Sequence, residues 1–139
     1  MNKLAGILNE AETPLRVGVG ALLVRADGRV LAASRKNNHL DLGLPGGKVE
    51  PGETEIQALR RELQEETSLV AKKFHRLFAA PDPGGFWFVT FLVYEWSGEP
   101  RYCEGAVVRW VEPMRLIQAS CSFRGYNGDL FAHVGLLAR

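Results

Sequence analysis

Residues 46–70, GGKVEPGETEIQALRRELQEETSLV, join a glycine-rich beginning to a dense group of carboxylates. The stretch holds six glutamates, and three of them fall within five residues: Glu62, Glu65 and Glu66. Carboxylates on one helix face repel each other, so such a group lowers stability unless something offsets its charge. The composition of this stretch therefore indicates a use for concentrated negative charge.

The segment from Thr54 to about Thr67 has the periodicity of an α-helix. Its apolar residues recur at positions i, i+3 and i+7 and form a narrow stripe: Ile56, Leu59 and Leu63. The three clustered glutamates are three and four residues apart, so they share another face of the same helix. The pattern predicts a helix with one face toward the core and one strongly acidic face.

An acidic helix face has two interpretations. Most such faces are simply solvated and tied by i,i+4 pairs, such as the pair that Arg61 and Glu65 would form. Alternatively, clustered carboxylates bind a hard cation, because Mg²⁺ and Mn²⁺ prefer oxygen ligands. Gly46 and Gly47 favour the second interpretation, since glycines let the backbone approach a ligand closely. Magnesium joins carboxylates to substrate phosphates, so the stretch suits metal-assisted phosphate chemistry.

Residues 47–69 resemble the Nudix box. That pattern is a glycine, five residues, a glutamate, seven residues, Arg-Glu, an apolar residue, any residue, Glu-Glu, any residue, a glycine and an apolar residue. The residues of this chain that stand in register are Gly47, Glu53, Arg61, Glu62, Leu63, Glu65, Glu66 and Leu69. Ser68 departs from the pattern, because the family has glycine there.

The resemblance implies a fold and a reaction class. The expected fold is α/β, a Nudix-type α/β/α sandwich with a mixed β-sheet, in a single domain over residues 1–139. Members of the family hydrolyse the diphosphate linkage of a nucleoside diphosphate joined to another group. They use a divalent metal, here Mg²⁺ or Mn²⁺, which activates water and neutralises phosphate charge.

By position in the box, three carboxylates would be catalytic and bind the metal: Glu62, Glu65 and Glu66. Of these, Glu62 is the one expected to orient or deprotonate the attacking water. The carbonyl of Gly46 would also face the metal. Glu53 and Arg61 resemble the ion pair of the family that braces the loop against the helix, which is a supporting role.

A fourth metal carboxylate is expected from a distant loop. Residues 101–111, RYCEGAVVRWV, resemble the segment that carries it in MutT-type members, which selects Glu104. A solvated loop position is the alternative for Glu104. Glu112 is the other candidate, but it adjoins Pro113 and looks like the entry to a turn.

Three residues are candidates for substrate binding. Residues 123–131, FRGYNGDLF, resemble the terminal segment in which MutT-type members place an Asn near the base, so Asn127 would bind a purine edge. Its amide both donates and accepts hydrogen bonds. Arg35 would contact phosphate, and Trp87 would stack on the base. The alternatives are a capping or surface Asn, an exposed Arg and a core Trp. His39 stands in the loop before the glycines, where it could reach the substrate.

The remaining chain alternates strand-like and helical patterns. Residues 16–25 and 30–35 read as a hairpin around the Asp27-Gly28 turn, and residues 36–43 read as a polar loop. Further strands are expected at 72–80, 85–96 and 106–112, and a final helix from about Ser122 with Leu130 and Val134 inward. Strands interleaved with two helices predict a mixed sheet with helices on its faces.

Composition limits the remaining functions. The chain has 139 residues and a net charge of +1, so no bulk field favours nucleic acid or membrane as a partner. Its longest apolar run, FWFVTFLVY, is far short of a membrane span. Cys103 and Cys121 lack metal-site spacing, and the first residues lack an apolar signal core, so we expect a cytoplasmic protein. Monomer and homodimer both remain open.

These observations favour a divalent-metal-dependent nucleotide pyrophosphohydrolase, MutT-like, that converts a nucleoside triphosphate into the monophosphate and pyrophosphate. Hydrolysis of ADP-ribose, a nucleotide sugar or a dinucleoside polyphosphate is the alternative. A non-catalytic nucleotide sensor is a third, although it would not need all the glutamates. Ser68 stands where a left-handed residue is common, and holding Ser in that conformation would cost about 1 kcal/mol unless the chain leaves the helix by another route. We expect Ser68 to change the helix exit and to spare the metal site.

Overall fold

The computed structural model describes residues 16–101 and 105–137. Its elements, in chain order, are β1 (Val17–Leu22), β2 (Val30–Arg35), β3 (Asn38–Gly43), β4 (Gly46–Lys48), α1 (Glu55–Thr67), β5 (Val70–Pro81), β6 (Trp87–Ser97), β7 (Val108–Val111), a 3-10 helix (Pro113–Ile117) and α2 (Arg124–Val134). Within this part of the chain, no helix is long and apolar enough to cross a membrane.

The strands divide between two sheets. The first has the order β4-β1-β6-β5, and the second has the order β3-β2-β7. Strands β1 and β6 are parallel, in a register that runs from Val17 opposite Trp87 to Leu22 opposite Leu92. The other pairs in both sheets are antiparallel. The first sheet is therefore mixed, as the sequence predicts. The division of the strands between two sheets was not predicted.

Hydrophobic residues on opposite faces of β1 pack in two separate core clusters. Val19 and Ala21 pack in a cluster with Leu59 and Leu63 of α1. Leu22 points to the other face and packs in a cluster with Leu130 of α2. This alternation follows from the two-residue period of a strand. The helices thus cover opposite faces of the sheet, which confirms the predicted α/β/α sandwich.

The predicted strands are found with ends that differ by at most three residues, and β2 has the predicted bounds. Strands β3 and β4 were predicted as loops, which is wrong. Strand β3 begins with exposed, polar Asn38 and His39, residue types that disfavour strands. Strand β4 has three residues, and a Cβ on Gly46 would lie 2.0 Å from the carbonyl oxygen of Val19. Its pairing with β1 requires glycine.

Helix α1 begins and ends at recognisable signals. Thr54 is the N-cap of a capping box, in which its hydroxyl accepts from the Gln57 N–H and the Gln57 side chain accepts from the Thr54 N–H. Ser68 at the other end has φ 67°, so the predicted left-handed conformation is confirmed. The predicted stripe is wrong at Ile56, which is exposed beside an open groove. Ala58 is buried in the core instead.

Candidate active site

The backbone of β4 lies directly against the glutamates of α1. A Cβ on Gly47 would lie 2.5 Å from the carboxyl carbon of Glu62. The N–H of Gly46 donates to Oε1 of Glu66 at 2.6 Å. The two glycines therefore let strand β4 and helix α1 come into close contact. We call this region, formed by Gly46, Gly47, Glu62, Glu65 and Glu66, the corner.

Arg61 binds four partners around this corner. Its Nη1 donates to Glu62 Oε1 at 2.7 Å and to Glu65 Oε1 at 2.8 Å. Its Nε and Nη2 form a bidentate pair with Glu53, at 2.7 Å and 2.9 Å. Its Nη2 also donates to the carbonyl of Lys48 at 3.0 Å. Arg61 and Glu53 are thus in contact at the place expected of the bracing pair, with Glu53 before α1 and Arg61 within it.

These contacts change the proton affinities of the carboxyls. The hydrogen bonds from Arg61 lower the pKa of Glu53 to about 2. Burial raises the pKa of Glu62 above its ordinary value, and the contacts with Arg61 oppose this shift without cancelling it. The charged form of Glu62 is therefore costly here unless a cation lies beside it.

The donors at the corner fit a hard cation. Its acidic side chains, Glu62, Glu65 and Glu66, offer carboxylate oxygens, the ligand type that Mg²⁺ and Mn²⁺ prefer. One guanidinium nitrogen of Arg61 lies within hydrogen-bonding distance of both Glu62 and Glu65, which shows that a positive group fits between their oxygens. In residues 16–101 and 105–137, no three acidic, His or Cys side chains are already gathered as a metal cluster. Arg61 Nη1 takes the place between Glu62 and Glu65, while Glu66 accepts the Gly46 N–H.

A cavity of about 770 Å³ opens beside this corner. Residues on one side of it include Gly46, Gly47 and Glu66, and α2 and the turn before it contribute Phe123 and Asn127. The remaining walls come mainly from strands β1, β2, β3 and β6 and from the turns that join β2 to β3 and β5 to β6. Its volume is typical of sites for small molecules and nucleotides, which usually measure about 300–1,000 Å³.

Asn127 lies at the cavity as the sequence predicts, although it is only 1% exposed. Its Nδ2 donates to the carbonyl of Leu116 at 3.1 Å, which fixes the orientation of the amide. Its Oδ1 accepts no hydrogen bond from the residues that the structure describes. Because Asn127 lines the cavity, this oxygen is the side-chain atom that a ligand there could contact as an acceptor. Asn127 therefore offers an acceptor to a ligand.

Aromatic residues of the β5–β6 turn reach the cavity, but the predicted one does not. Phe86 and Phe88 line it, whereas Trp87 is 37% exposed and is absent from its wall. Alternate residues of an extended chain face opposite sides, so Trp87 must point away when its neighbours point in. The prediction selected the wrong member of the triplet. Phe86 lies between the cationic groups of Arg16 and Lys48, which are 5.6 Å and 5.4 Å from its ring centre.

Arg35 also lines the cavity, where its Nε donates to Asp41 at 2.9 Å. The sequence did not single out Asp41 or Ser122, which line the same cavity. Asp41 belongs to no recognisable motif, and its partner Ser122 lies 81 residues away in the sequence. A buried polar network of this kind leaves no local pattern that could have revealed it.

Other predicted residues lie elsewhere. Glu104 and Cys103 are outside the described residues, whereas Cys121 is a buried free thiol. Glu112 pairs with Arg29 at 3.3 Å and does not line the cavity. His39 does not line it either, and its Nε2 lies 3.0 Å from the carbonyl oxygen of Gly105.

The fold, the site and the match to a family model together identify the class of protein. A mixed sheet lies between two helices, and a glutamate-bearing helix packs on a glycine-rich strand. The NUDIX domain model matches residues 14–127 of this sequence. The chain belongs to the Nudix family.

Curated relatives and solved structures agree with this membership. The chain is 35% identical over 126 residues to an 8-oxo-dGTP diphosphatase of Escherichia coli, covering 84% of this chain and 87% of that protein. It is 46% identical over 74 residues to an 8-oxo-dGTP diphosphatase of Haemophilus influenzae, covering 51% of this chain and 54% of that protein. The second match therefore spans about half the length of that relative. Further relatives are named RNA pyrophosphohydrolase and ADP-ribose pyrophosphatase.

The solved structure of a MutT NUDIX hydrolase from Burkholderia pseudomallei superposes with a TM-score of 0.68 at 31% identity. The superposition covers 83% of this chain and 96% of that one. The similarity therefore extends over nearly all of the neighbour and supports the fold as a whole.

Proposed function

We propose that this protein is a single-domain, divalent-metal-dependent pyrophosphohydrolase that converts a nucleoside triphosphate into the monophosphate and pyrophosphate. One observation carries the proposal: a single cavity is lined both by Gly46, Gly47 and Glu66 of the corner and by Asn127 of α2. A nucleotide that spans it would place phosphates at the corner and its base beside α2. The partner is then a free nucleotide rather than a nucleic acid, and the expected location is cytoplasmic.

The phosphate end depends on the corner. A divalent ion bound there supplies charge neutralisation and a water of lowered pKa. Glu62, Glu65 and Glu66 would hold the ion, with the Gly46 carbonyl and Glu104 as the further proposed ligands. Glu62 is suited to orient or deprotonate the attacking water, because its carboxyl is half-buried and its pKa is raised by burial. Arg61 fixes Glu62 and Glu65 by hydrogen bonds and is itself held by Glu53 in the loop before α1.

The base end selects the substrate. Asn127 offers only its oxygen, because its amide nitrogen is committed to Leu116. It therefore favours a base edge that presents an N–H group. Ordinary guanine presents an acceptor at N7, whereas 8-oxoguanine carries a hydrogen there. The relatives named 8-oxo-dGTP diphosphatase agree with such a substrate. We therefore propose an oxidised purine nucleoside triphosphate, with Phe86 beside the base.

The test is product analysis with the purified full chain, Mg²⁺ or Mn²⁺, and a panel of 8-oxo-dGTP, dGTP, ADP-ribose, a nucleotide sugar and a dinucleoside polyphosphate. We expect monophosphate and pyrophosphate, with kcat/KM for 8-oxo-dGTP at least about tenfold above that for dGTP. A preference for another compound would transfer the proposal to that substrate. Inactivity on the whole panel would overturn hydrolysis and favour a sensor.

A matched pair of variants tests the role of the corner. Glu65→Gln should lower kcat by roughly a hundredfold or more, because it removes a carboxylate charge from the proposed metal site. Glu55→Gln is the control, since Glu55 lies on the same helix but pairs with Arg76 instead of with Arg61 at the corner. Binding of Mn²⁺, followed by its paramagnetic resonance signal, should weaken in the first variant only. Equal binding by both variants would contradict the assignment.

A further inference from the structure

Asp41 is a buried carboxylate with an unusual set of partners. It stands on β3 and is 8% exposed. Its Oδ1 accepts the N–H of Ser122 at 2.8 Å, and its Oδ2 accepts the Ser122 hydroxyl and the Nε of Arg35, the latter at 2.9 Å. All three donors suit a carboxylate with two charged oxygens.

The network joins segments that are distant in the chain. Arg35 ends β2, and Ser122 lies two residues before the first residue of α2 and 81 positions after Asp41. All three residues line the same cavity. Asp41 therefore ties the β2–β3 hairpin to the beginning of the helix that carries Asn127.

A second contact holds the same two segments together. Arg115, in the 3-10 helix, donates from Nη2 to the carbonyl of Leu40 at 3.0 Å. Its backbone carbonyl and its side chain both contact Cys121. The segment before α2 would therefore remain attached to β3 without Asp41, although its orientation would no longer be fixed by the carboxylate.

The charge of Asp41 also acts on Arg35. Burial raises the pKa of Asp41, but hydrogen bonds from Ser122 and Arg35 outweigh it and leave that pKa below its ordinary value. Arg35 is thus paired at Nε, while its side chain is 58% exposed. Its Nη donors have no partner in the described part of the chain and remain available at the cavity. Because the pair is neutral overall, it suits an uncharged acceptor better than a phosphate.

We propose that Asp41 is a positioning residue for nucleotide recognition, which holds the donors of Arg35 and the acceptor of Asn127 toward the same bound base. The inference rests on the proposed function of this cavity. The ligand class is a heteroaromatic base whose edge carries a carbonyl oxygen and an N–H group. Asp41 itself does not contact the ligand in this arrangement, and it acts through Arg35 and the segment before α2.

The test compares Asp41→Asn, Ser122→Ala and Arg35→Gln with the wild type. An amide in place of the carboxylate sets its NH₂ group against one of the existing donors. We expect Asp41→Asn to raise KM for 8-oxo-dGTP roughly tenfold while kcat changes less than about threefold. Ser122→Ala removes one of the three bonds and should act in the same direction more weakly. Asp27→Asn, in the exposed hairpin turn, is the control and should leave both constants unchanged.

The double variant separates positioning from general destabilisation. If Asp41 acts through Arg35, Arg35→Gln should cost much less in the Asp41→Asn background than in the wild type. Additive effects, or a loss in kcat and stability with KM unchanged, would overturn the proposal. Should Asp41→Asn fail to fold, the same cycle is measured with Ser122→Ala.

A binding measurement keeps this inference separate from the proposed reaction. Equilibrium binding of 8-oxo-dGMP is followed by calorimetry in the wild type and the variants. A wild type that binds but turns over nothing, with binding weakened by Asp41→Asn, would support positioning and overturn the hydrolase. If the wild type turns over the nucleotide and Asp41→Asn leaves KM unchanged, the hydrolase is supported and the positioning role of Asp41 is overturned. A wild type that binds no purine nucleotide would overturn both.

Discussion

Gly47 and Glu62 touch so closely that no side chain fits between them. A Cβ built on Gly47 would lie 2.5 Å from the carboxyl carbon and one oxygen of Glu62, and 2.7 Å from the other oxygen. The position of this carboxylate is therefore set by a strand residue that has no side chain of its own. It follows that the smallest possible side chain at residue 47 should displace Glu62.

Gly47→Ala should lower kcat by roughly a hundredfold, because a displacement of about 1 Å in a catalytic group costs that much. The measurement is steady-state kinetics together with thermal unfolding. Gly125→Ala is the matched control, since Gly125 has nothing within 4 Å of its Cβ position. That variant should keep full activity and gain up to about 1 kcal/mol of stability in its helix. Full activity in Gly47→Ala would show that Glu62 has no essential position.

Phe86→Ala should weaken nucleotide binding, whereas Trp87→Ala should not. Phe86 lines the cavity and Trp87 does not. Stacking on a base contributes about 1–3 kcal/mol, so KM in Phe86→Ala should rise at least about fivefold. Both variants are compared by KM for the preferred substrate, with kcat as the internal control. A larger rise of KM in Trp87→Ala than in Phe86→Ala would show that Trp87 stacks on the base, as the sequence analysis suggested.

Glu53 should make the fold sensitive to acid. Its pKa is lowered from 4.5 to about 2 by Arg61, so the pair stabilises the folded state above pH 4.5 and loses this effect as the pH falls toward 2. Glu53→Gln should be less stable than the wild type at pH 7, and the difference in unfolding free energy should shrink below pH 4.5. Urea denaturation at several pH values measures it. A difference that is constant with pH would contradict the pairing.

Ser68→Gly should raise stability and leave turnover unchanged. Ser68 is the non-glycine residue with positive φ among those described, at 67°. Relief of this strain is expected to raise the free energy of unfolding by about 1 kcal/mol. The gain is reduced by the loss of the hydrogen bond that Arg101 Nε donates to the Ser68 hydroxyl at 3.4 Å. Chemical denaturation and kcat are the two measurements. A fall in kcat would mean that the helix exit influences the metal site.

Local signals predicted much of the fold. The helix from Thr54 to Thr67 was visible because its N-cap, apolar spacing and exit residue all lie within a single short segment. The turn at Asp27-Gly28 was visible for the same reason, and β2 has the predicted bounds. The predicted hairpin is wrong, because β1 and β2 belong to different sheets and the chain segments beside this turn meet in an isolated bridge between Val24 and Val30. The box also identified the glutamates that meet the glycine strand.

Non-local packing could not be predicted in the same way. Strand β4 exists because three residues pair with β1, and no periodicity is readable in so short a segment. The cavity network depends on Asp41 and Ser122, which are 81 residues apart. Trp87 was misplaced because alternation shows that neighbours face opposite sides without showing which side holds the ligand.

The two ends of the cavity are built from different kinds of structure, and strand β4 belongs to the end where the reaction is proposed to occur. Gly46 is held on one side by β1 and on the other by Glu66, so the reaction corner is part of the sheet itself. The base end is formed by two connections, the turn at 82–86 and the residues just before α2, together with Asn127 of α2 and with Arg35 and Asp41 on β2 and β3. Mutations in those connections can alter the choice of nucleotide while the reacting groups stay in place. New specificities could thus evolve on this scaffold without the chemistry being rebuilt.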